Sequence, residues 1–304
     1  MPRNKKFEGD VTEIGTVRAP PFCRLPDIHT LFDRRHKRFE LLKLTSPMAG
    51  YISFLSTLAK AQHETAQNFS ACSFNDSIRE SMALSCTLLP DHLKLAGLPV
   101  FQDIMDDFFS RVEGAELNKP SGYALADVKA DKSKRVACAA NLVNGFIAVK
   151  DMAQHIFVMA PLQVLITLAT RSLDVKVLKP LEKNLCPACG GTHSASMIVG
   201  WNEAEGTRFC SCLYCGTIWH YVRIKCTFCE STGGIEYREI EGGPGSILVE
   251  TCKNCGKYCK QINHQKDMSM DIFADDIGSI ALDLLMRNNG IFSRGAFNPF
   301  MAGY

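Results

Sequence analysis

Four Cys-x-x-Cys pairs lie in one segment of the chain and form an internal repeat. The first two pairs recur 40 residues later as the last two, and in each set 22 residues separate one pair from the next. The two sets are Cys186, Cys189, Cys212 and Cys215, and Cys226, Cys229, Cys252 and Cys255. Two similar modules in tandem are the simplest explanation of a fixed offset of this kind.

Each set of four cysteines predicts one closed metal site. Two residues between two cysteines let both sulfurs of a tight turn face one ion, and a second such turn completes a tetrahedron. Four thiolates suit either zinc or a single iron, and the sequence does not distinguish between them. Because no coordination position stays open, we expect no chemistry on metal-bound water and no catalytic residue. A purely structural role for both sites is the main alternative, since metal often stabilises modules with small cores.

The cellular setting follows from the cysteines and the N-terminus. The chain has 14 cysteines but no apolar run near its start that would serve as an export signal, which favours reduced thiols in the cytoplasm over disulfides. The longest apolar stretch, Ile156–Ala169, is interrupted by Pro161 and Gln163, so we expect no membrane span. Residues 186–262 carry seven basic and seven acidic side chains, a balance that disfavours a nucleic-acid partner.

The periodicity of apolar residues predicts a mainly α-helical N-terminal domain followed by two small β modules and a C-terminal helix. The predicted division is a flexible lead at 1–26, the helical domain at 27–183, the first rubredoxin-like or zinc-ribbon module at 184–223, the second at 224–264, and the C-terminal helix and tail at 265–304. Helical faces are expected at these positions: Ile28, Phe32, Phe39, Leu42; Tyr51, Phe54, Leu55, Leu58; Phe101, Ile104, Met105, Phe108, Phe109, Val112; Val136, Ala139, Leu142, Val143, Phe146; Phe273, Ile277, Ile280, Leu284.

Other cysteines and histidines lie close to the pairs. We interpret Cys210 and Cys259 as partly buried spare thiols, because each module already has four ligands. His220, in a predicted strand over Thr217–Ile224, and His193 are expected in supporting or surface positions and not as ligands.

Two further positions depart from the surrounding pattern. Arg35 falls on the apolar stripe of the first helix, so we expect it to pair with a buried carboxylate, with a contact to a partner as the alternative. Glycine follows three of the four pairs directly, where a positive φ is often needed, whereas Glu230 follows the third. That substitution predicts a looser turn.

Several segments together resemble the family of the formate dehydrogenase accessory protein FdhE. They are CPACG, CLYCGTIWHYVRIKCTFCE and CKNCGKY around the pairs, LFDRRHKRFELL near the start, and DDIGSIALDLLMRNNG and FNPF near the end. The resemblance spans most of the chain, and residues 73–149 match least well. The combination is far more specific than any single Cys-x-x-Cys pair.

The resemblance implies a helical domain followed by two rubredoxin-like modules, in a cytoplasmic protein needed to mature respiratory formate dehydrogenase. It implies iron as the metal at the eight paired cysteines, binding to the catalytic subunit of that enzyme, and no enzymatic activity of the chain itself. The alternative function is an electron-transfer or redox-sensing iron protein. The sequence also leaves a homodimer open.

Overall fold

The computed structural model of the chain describes residues 19–72, 96–115, 117–171 and 173–301. Its helices within these ranges are α1 Leu31–Leu42, α2 Ala49–Asn68, α3 Pro99–Glu113, α4 Lys119–Ala130, α5 Lys132–Asn144, α6 Met152–Thr170, α7 Ile272–Gly278 and α8 Ile280–Asn289. Its strands are β1 Cys23–Arg24, β2 His193–Ile198, β3 Arg208–Cys212, β4 Ile218–His220, β5 Ile235–Arg238, β6 Ile247–Cys252, β7 Lys257–Asn263 and β8 Ser293–Arg294. The predicted fold class, helices followed by a β region with two cysteine clusters and C-terminal helices, is confirmed.

Helix α6 is the centre of the helical region. Every residue from His155 to Thr170 is buried, and the helix packs against α2, α3, α4 and α5. The helix extends beyond the apolar stretch Ile156–Ala169 seen in the sequence and is long enough to cross a bilayer. Residues Val149–Thr170 form 22 helical residues with a mean hydropathy of 1.6, yet 83% of the apolar window is buried inside the protein. The apolar surface of the helix is therefore used for packing in the core.

The helices α1 and α3 bury most of the faces that the sequence predicts, whereas in α2 Leu55 and Leu58 are buried and Tyr51 and Phe54 are half-buried. Phe32 and Phe39 of α1 are buried, and all six predicted residues of α3 are fully buried. Helix α5 differs from the prediction, because Val136 and Phe146 are exposed. Gly145, at φ +69°, ends α5 before Phe146, and the buried face of the helix includes Arg135.

The strands of both cysteine modules join in one sheet. Its order is β1-β4-β3-β2-β7-β6-β5, with β8 beside β7. Strands β2 and β7 run parallel, with Ser196 opposite Gln261, and this pairing connects the first module to the second. All other pairings are antiparallel except that of β7 with β8. The repeat seen in the sequence therefore closes into a single continuous sheet.

The structure changes the bounds of two predicted segments, the flexible lead and one strand. Residues 22–26 are not a flexible lead, because Cys23 pairs with Trp219 as an edge strand and is buried; residues 1–18 lie outside the described residues. The strand predicted over Thr217–Ile224 spans only β4, since the chain leaves the sheet at Tyr221.

The C-terminal segment forms two helices where one was predicted. They separate at Ser279, whose hydroxyl donates to the carbonyls of Asp275 (2.7 Å) and Asp276 (3.1 Å) at the end of α7. Side-chain bonds of this type compete with regular helix bonding. The segment packs back on the rest of the chain: Phe273 contacts Phe39 edge to face with ring centroids 6.5 Å apart.

Candidate metal centres

The structure brings the eight paired cysteines together as two groups of four. In the first group, Sγ–Sγ distances are 3.6 Å for Cys186 and Cys215 and 3.3 Å for Cys189 and Cys212. In the second, the corresponding distances are 3.7 Å and 3.6 Å. A tetrahedral ion with metal–sulfur bonds of about 2.3 Å places its sulfurs about 3.8 Å apart. The arrangement of the sulfurs therefore fits one tetrahedral ion in each group.

The turn within each pair keeps the same hydrogen bond, from the residue after the pair to the carbonyl of the first cysteine. The donor is Gly190 (2.8 Å), Gly216 (3.2 Å), Glu230 (3.1 Å) or Gly256 (2.9 Å). Glu230 has a φ of +62°, close to the +68° to +73° of the three glycines. The predicted looser third turn was wrong, because Glu230 itself adopts the left-handed conformation.

Backbone amides and a hydroxyl surround the sulfurs of the first group. The amides of Tyr214 and Cys215 donate to Cys212 Sγ at 3.4 Å and 3.5 Å, and the Thr217 amide donates to Cys215 Sγ at 3.4 Å. Burial raises the pKa of Cys186 and Cys189 well above the ordinary value. Burial acts in the same direction at Cys215, but hydrogen bonds from the other three cysteines and Thr217 bring the pKa of Cys215 well below it. The polypeptide thus favours the thiolate form at Cys215 and the neutral thiol at Cys186 and Cys189.

The first group is embedded in the helical region. All four cysteines are buried, and they belong to the same hydrophobic core as α6. Gln163 of α6 donates to the Leu213 carbonyl (2.5 Å), and Thr167 donates to the Cys215 carbonyl (3.2 Å). On the other side, a β-carbon on Gly216 would lie 2.7 Å from a methyl carbon of Leu31 of α1, so a larger residue would displace that side chain.

The second group lies at the surface. Cys229 is exposed and Cys255 is half-buried, whereas Cys226 and Cys252 are buried. An amide from Phe228 donates to Cys226 Sγ at 3.4 Å, so the turn resembles those of the first group. The two groups therefore share ligand geometry and differ in solvent access.

Three family profiles match consecutive parts of the chain. The profile "FdhE, N-terminal" matches residues 20–183, "FdhE, central domain" matches 185–223, and "FdhE, C-terminal domain" matches 224–301. The chain belongs to the FdhE family. The first cysteine group lies within the central match, and the second lies within the C-terminal match.

Relatives and a solved structure agree with this assignment. The "Protein FdhE homolog" of Rhizobium meliloti (strain 1021) is 34% identical over 97% of each chain, and that of Stutzerimonas stutzeri (strain A1501) is 31% identical over 97% of this chain and 98% of the relative. The crystal structure of the FdhE protein from Pseudomonas aeruginosa matches with a TM-score of 0.81 and 27% identity, covering 93% of this chain and 99% of that one. The predicted resemblance to FdhE is confirmed.

The spare cysteines of this FdhE family member are core residues. Cys210 and Cys259 are buried and lie outside both groups of four. Burial raises the pKa of Cys210 to about 11 and that of Cys259 to about 12. Both thiols are therefore neutral at physiological pH, and they are more deeply buried than the sequence predicted.

Neither nearby histidine joins a cysteine group. His193 is buried and stacks on Phe228 with ring centroids 4.8 Å apart, while its edge faces Trp219. Burial lowers the pKa of His193 to about 3, so the ring is neutral. His220 is half-buried against Phe209, with centroids 6.1 Å apart. His193 thus packs the first module against the Phe228 turn of the second.

Arg35 has no carboxylate partner among the described residues, contrary to the pairing that the sequence favoured. Its Nη1 donates to the side-chain oxygen of Gln163 (3.1 Å), and its Cζ lies 3.8 Å from the centroid of the Phe273 ring. Asp271 is the carboxylate nearby, but it accepts from the amides of Phe273 and Ala274 as the N-cap of α7.

Sequence reasoning missed the residues that hold the first centre against α6. Gln163 and Thr167 are the polar residues of the apolar stretch Ile156–Ala169 within α6, and both are buried. A buried polar group needs a partner. Their presence in the apolar run was the signal that something polar, here the carbonyls of the cysteine turn, lies across from the helix.

Proposed function

We propose that this chain is a cytoplasmic accessory factor that helps mature respiratory formate dehydrogenase by binding its catalytic subunit. Membership of the FdhE family over nearly the full length of the chain carries the proposal. The four-cysteine groups support it, because closed coordination suits a role in shaping a protein surface better than a role in catalysis. The proposal therefore treats the chain as a binding protein and not as an enzyme.

The eight paired cysteines are the proposed metal ligands, one ion for each group of four. Iron is the proposed metal, on the resemblance to the family, and zinc is the alternative because the sulfur distances suit both. Anaerobic purification followed by metal analysis and an absorption spectrum distinguishes them. A ferric tetrathiolate centre absorbs visible light, whereas a zinc centre is colourless.

The surface around the second centre is the proposed docking region. Cys229 is exposed there, and the linker into the second module carries the exposed apolar residues Val222 (56%) and Ile224 (64%). The first centre has no comparable surface, because all four of its cysteines are buried. A partner could reach the second centre without disturbing the core of the protein.

Co-purification tests the proposed partner. Tagged, metal-loaded chain is expected to retain the catalytic subunit of formate dehydrogenase from the cytosol of cells that produce the enzyme. The double variant Cys226→Ser, Cys229→Ser is expected to lose retention, and Cys72→Ser, which lies outside both groups, is the matched control. Failure of the intact, metal-loaded protein to retain the subunit would contradict the proposal.

A second candidate function is electron transfer or redox sensing by an iron centre. The exposure of Cys229 favours it for the second group, since a redox partner can approach those sulfurs directly. A reversible one-electron wave, lost in Cys252→Ser and kept in Cys212→Ser, is the expected result. A protein that contains only zinc would eliminate this candidate.

A further inference from the structure

A cavity of about 260 Å³ lies between α1, the edge of the sheet and the start of α7. We call it the Arg35 cavity. Three arginines and two aspartates line it, namely Arg24, Arg34, Arg35, Asp27 and Asp271. Their formal charges leave one positive charge, three against two, and Arg24 is also paired with Glu203 beyond the lining (2.9 Å).

Arg35 is the unusual member of this set. It is 4% exposed, and it uses one of its five N–H groups, the bond from Nη1 to Gln163. Within the described residues, its Nε is buried without an acceptor, and Nη2 has none either. A buried guanidinium ordinarily has a carboxylate partner, because an uncompensated buried charge is strongly destabilising. Burial lowers the pKa of Arg35 only to about 10, so the group stays charged at neutral pH.

Both aspartates of the cavity make local hydrogen bonds. Asp27 accepts from the His29 amide (3.0 Å) and the Thr30 hydroxyl (3.0 Å). Asp271 accepts from the amides of Phe273 (3.1 Å) and Ala274 (2.9 Å). These carboxylates hold a turn and a helix start in place. Asp271 lies close enough to act on the charge of Arg35, but within the described residues neither aspartate forms an ion pair with it.

The walls add two properties of a built site. Trp201 lines the cavity, and the Cζ of Arg24 lies 4.2 Å from the centroid of its ring. Leu31, Ile218 and Phe273 supply apolar wall. A ligand that combines a carboxylate with a short apolar body would match the Arg35 guanidinium, which has no carboxylate partner among the described residues, and the apolar lining.

We infer that the Arg35 cavity binds a monocarboxylate, with the carboxylate on Arg35 and the apolar body against Trp201. An arginine and a carboxylate match in geometry and form short, strong hydrogen bonds. The ligand comes either from an acidic side chain of a protein partner or from a small free carboxylic acid. The inference does not depend on the identity of the partner proposed above.

The Arg35 cavity lies next to the first group of cysteines, and two residues connect them. Gly216, directly after Cys215, lines the cavity. Gln163 links Arg35 to the Leu213 carbonyl inside the second cysteine turn. A carboxylate on Arg35 would therefore bind next to the residues that fix the position of this turn.

Titration of the metal-loaded, full-length chain with propionate, followed by the combined fluorescence of Trp201 and Trp219 at constant ionic strength, tests the inference. The wild type is expected to show a saturable change with a Kd on the order of millimolar, as suits a ligand of so few atoms. Arg35→Gln is expected to weaken binding about ten- to a hundredfold, through loss of the charged hydrogen bonds. Lys37→Gln, an exposed basic residue of the same helix outside the cavity, is the matched control and is expected to bind as the wild type does.

Two blocked dipeptides distinguish the sources of the carboxylate. If N-acetyl-leucyl-glutamate amide binds more tightly than propionate, while its glutamine counterpart does not bind, the ligand is an acidic side chain of a protein. Propionate binding at least as tightly as the glutamate peptide indicates a small free acid. Both results support the carboxylate site.

Other outcomes would overturn the inference. A fluorescence change that does not saturate, or equal binding by Arg35→Gln, would remove Arg35 as the binding residue, and tighter binding of inorganic phosphate would show that the site is not one for monocarboxylates. If Arg35→Gln does not fold, the ¹⁵Nε resonance of Arg35 in the wild-type protein decides. A saturable shift with propionate supports the site, and an unchanged resonance rules it out.

Discussion

Replacing Gln163 by leucine is expected to weaken the attachment of the first metal centre to the helical region. The Gln163 side chain is 1% exposed and serves three groups. It donates to the Leu213 carbonyl (2.5 Å) and accepts from Arg35 (3.1 Å) and Gln62 (2.9 Å). Gln62 also donates to the Ala160 carbonyl (2.9 Å), so the loss of its bond to Gln163 costs little stability.

The magnitude follows from the two groups that keep no partner. An unsatisfied buried carbonyl at Leu213 costs about 1–3 kcal/mol, and loss of the acceptor of a buried charged donor, Arg35, costs at least as much. The extra apolar surface of leucine offsets about 1 kcal/mol. The net destabilisation of Gln163→Leu is therefore expected to be about 3 kcal/mol. For a domain of this size, that lowers the unfolding midpoint by roughly 6–12 °C.

Thermal unfolding followed by circular dichroism on metal-loaded protein measures this effect. Gln154→Leu is the control, because Gln154 lies on the same helix, is only half-buried and contacts the exposed carboxylate of Asp127. Metal analysis accompanies both variants, since Gln163 is not a proposed ligand and two equivalents should remain. If Gln163→Leu unfolds within about 2 °C of the control, the bond to Leu213 does not hold the centre in place.

Three further perturbations have expected outcomes. A chelator should remove one metal equivalent quickly and the other slowly, because only the second group exposes a cysteine, Cys229. A metallochromic dye follows the release, and a fast phase that survives in Cys252→Ser would contradict this assignment. Gly216→Ala should destabilise the protein by about 2 kcal/mol or more, since φ is +73° and the new methyl group meets Leu31. Denaturant unfolding measures the loss. Gly256→Ala is the control, because Gly256 has a similar φ but no neighbour within 4 Å. Glu230→Gly should stabilise the second module by up to about 1 kcal/mol through relief of the left-handed backbone, and unchanged denaturant and metal-release midpoints would count against that reasoning.

The sequence predicted those parts of the fold that depend on local pattern. The apolar faces of α1 and α3 appear where their periods place them, because amphipathic helices bury one stripe. The spacing of the cysteines anticipated the two groups of four, since two-residue turns bring sulfurs together with little help from the rest of the chain.

The features that the sequence did not predict depend on contacts between distant segments. Cys23 becomes an edge strand only because Trp219 lies beside it, and no period in residues 22–26 indicates this. Arg35 donates to the side-chain oxygen of Gln163 and not to a carboxylate. The nearby carboxylate of Asp271 caps the start of its own helix, α7. The parallel pairing of β2 with β7, which merges the two modules, is likewise a long-range contact without a local signal.

The repeat in the sequence suggests two equivalent centres, and their surroundings make them different. The same four ligands are enclosed by α1 and α6 in the first group and face solvent in the second. Because all four cysteines of the first group are buried, an ion bound there would be limited to holding the helical region and the sheet together. The second group needs no such enclosure, since its turns and hydrogen bonds repeat those of the first. One centre is therefore suited to stabilise the fold, which leaves the other available at the surface for contact with a partner.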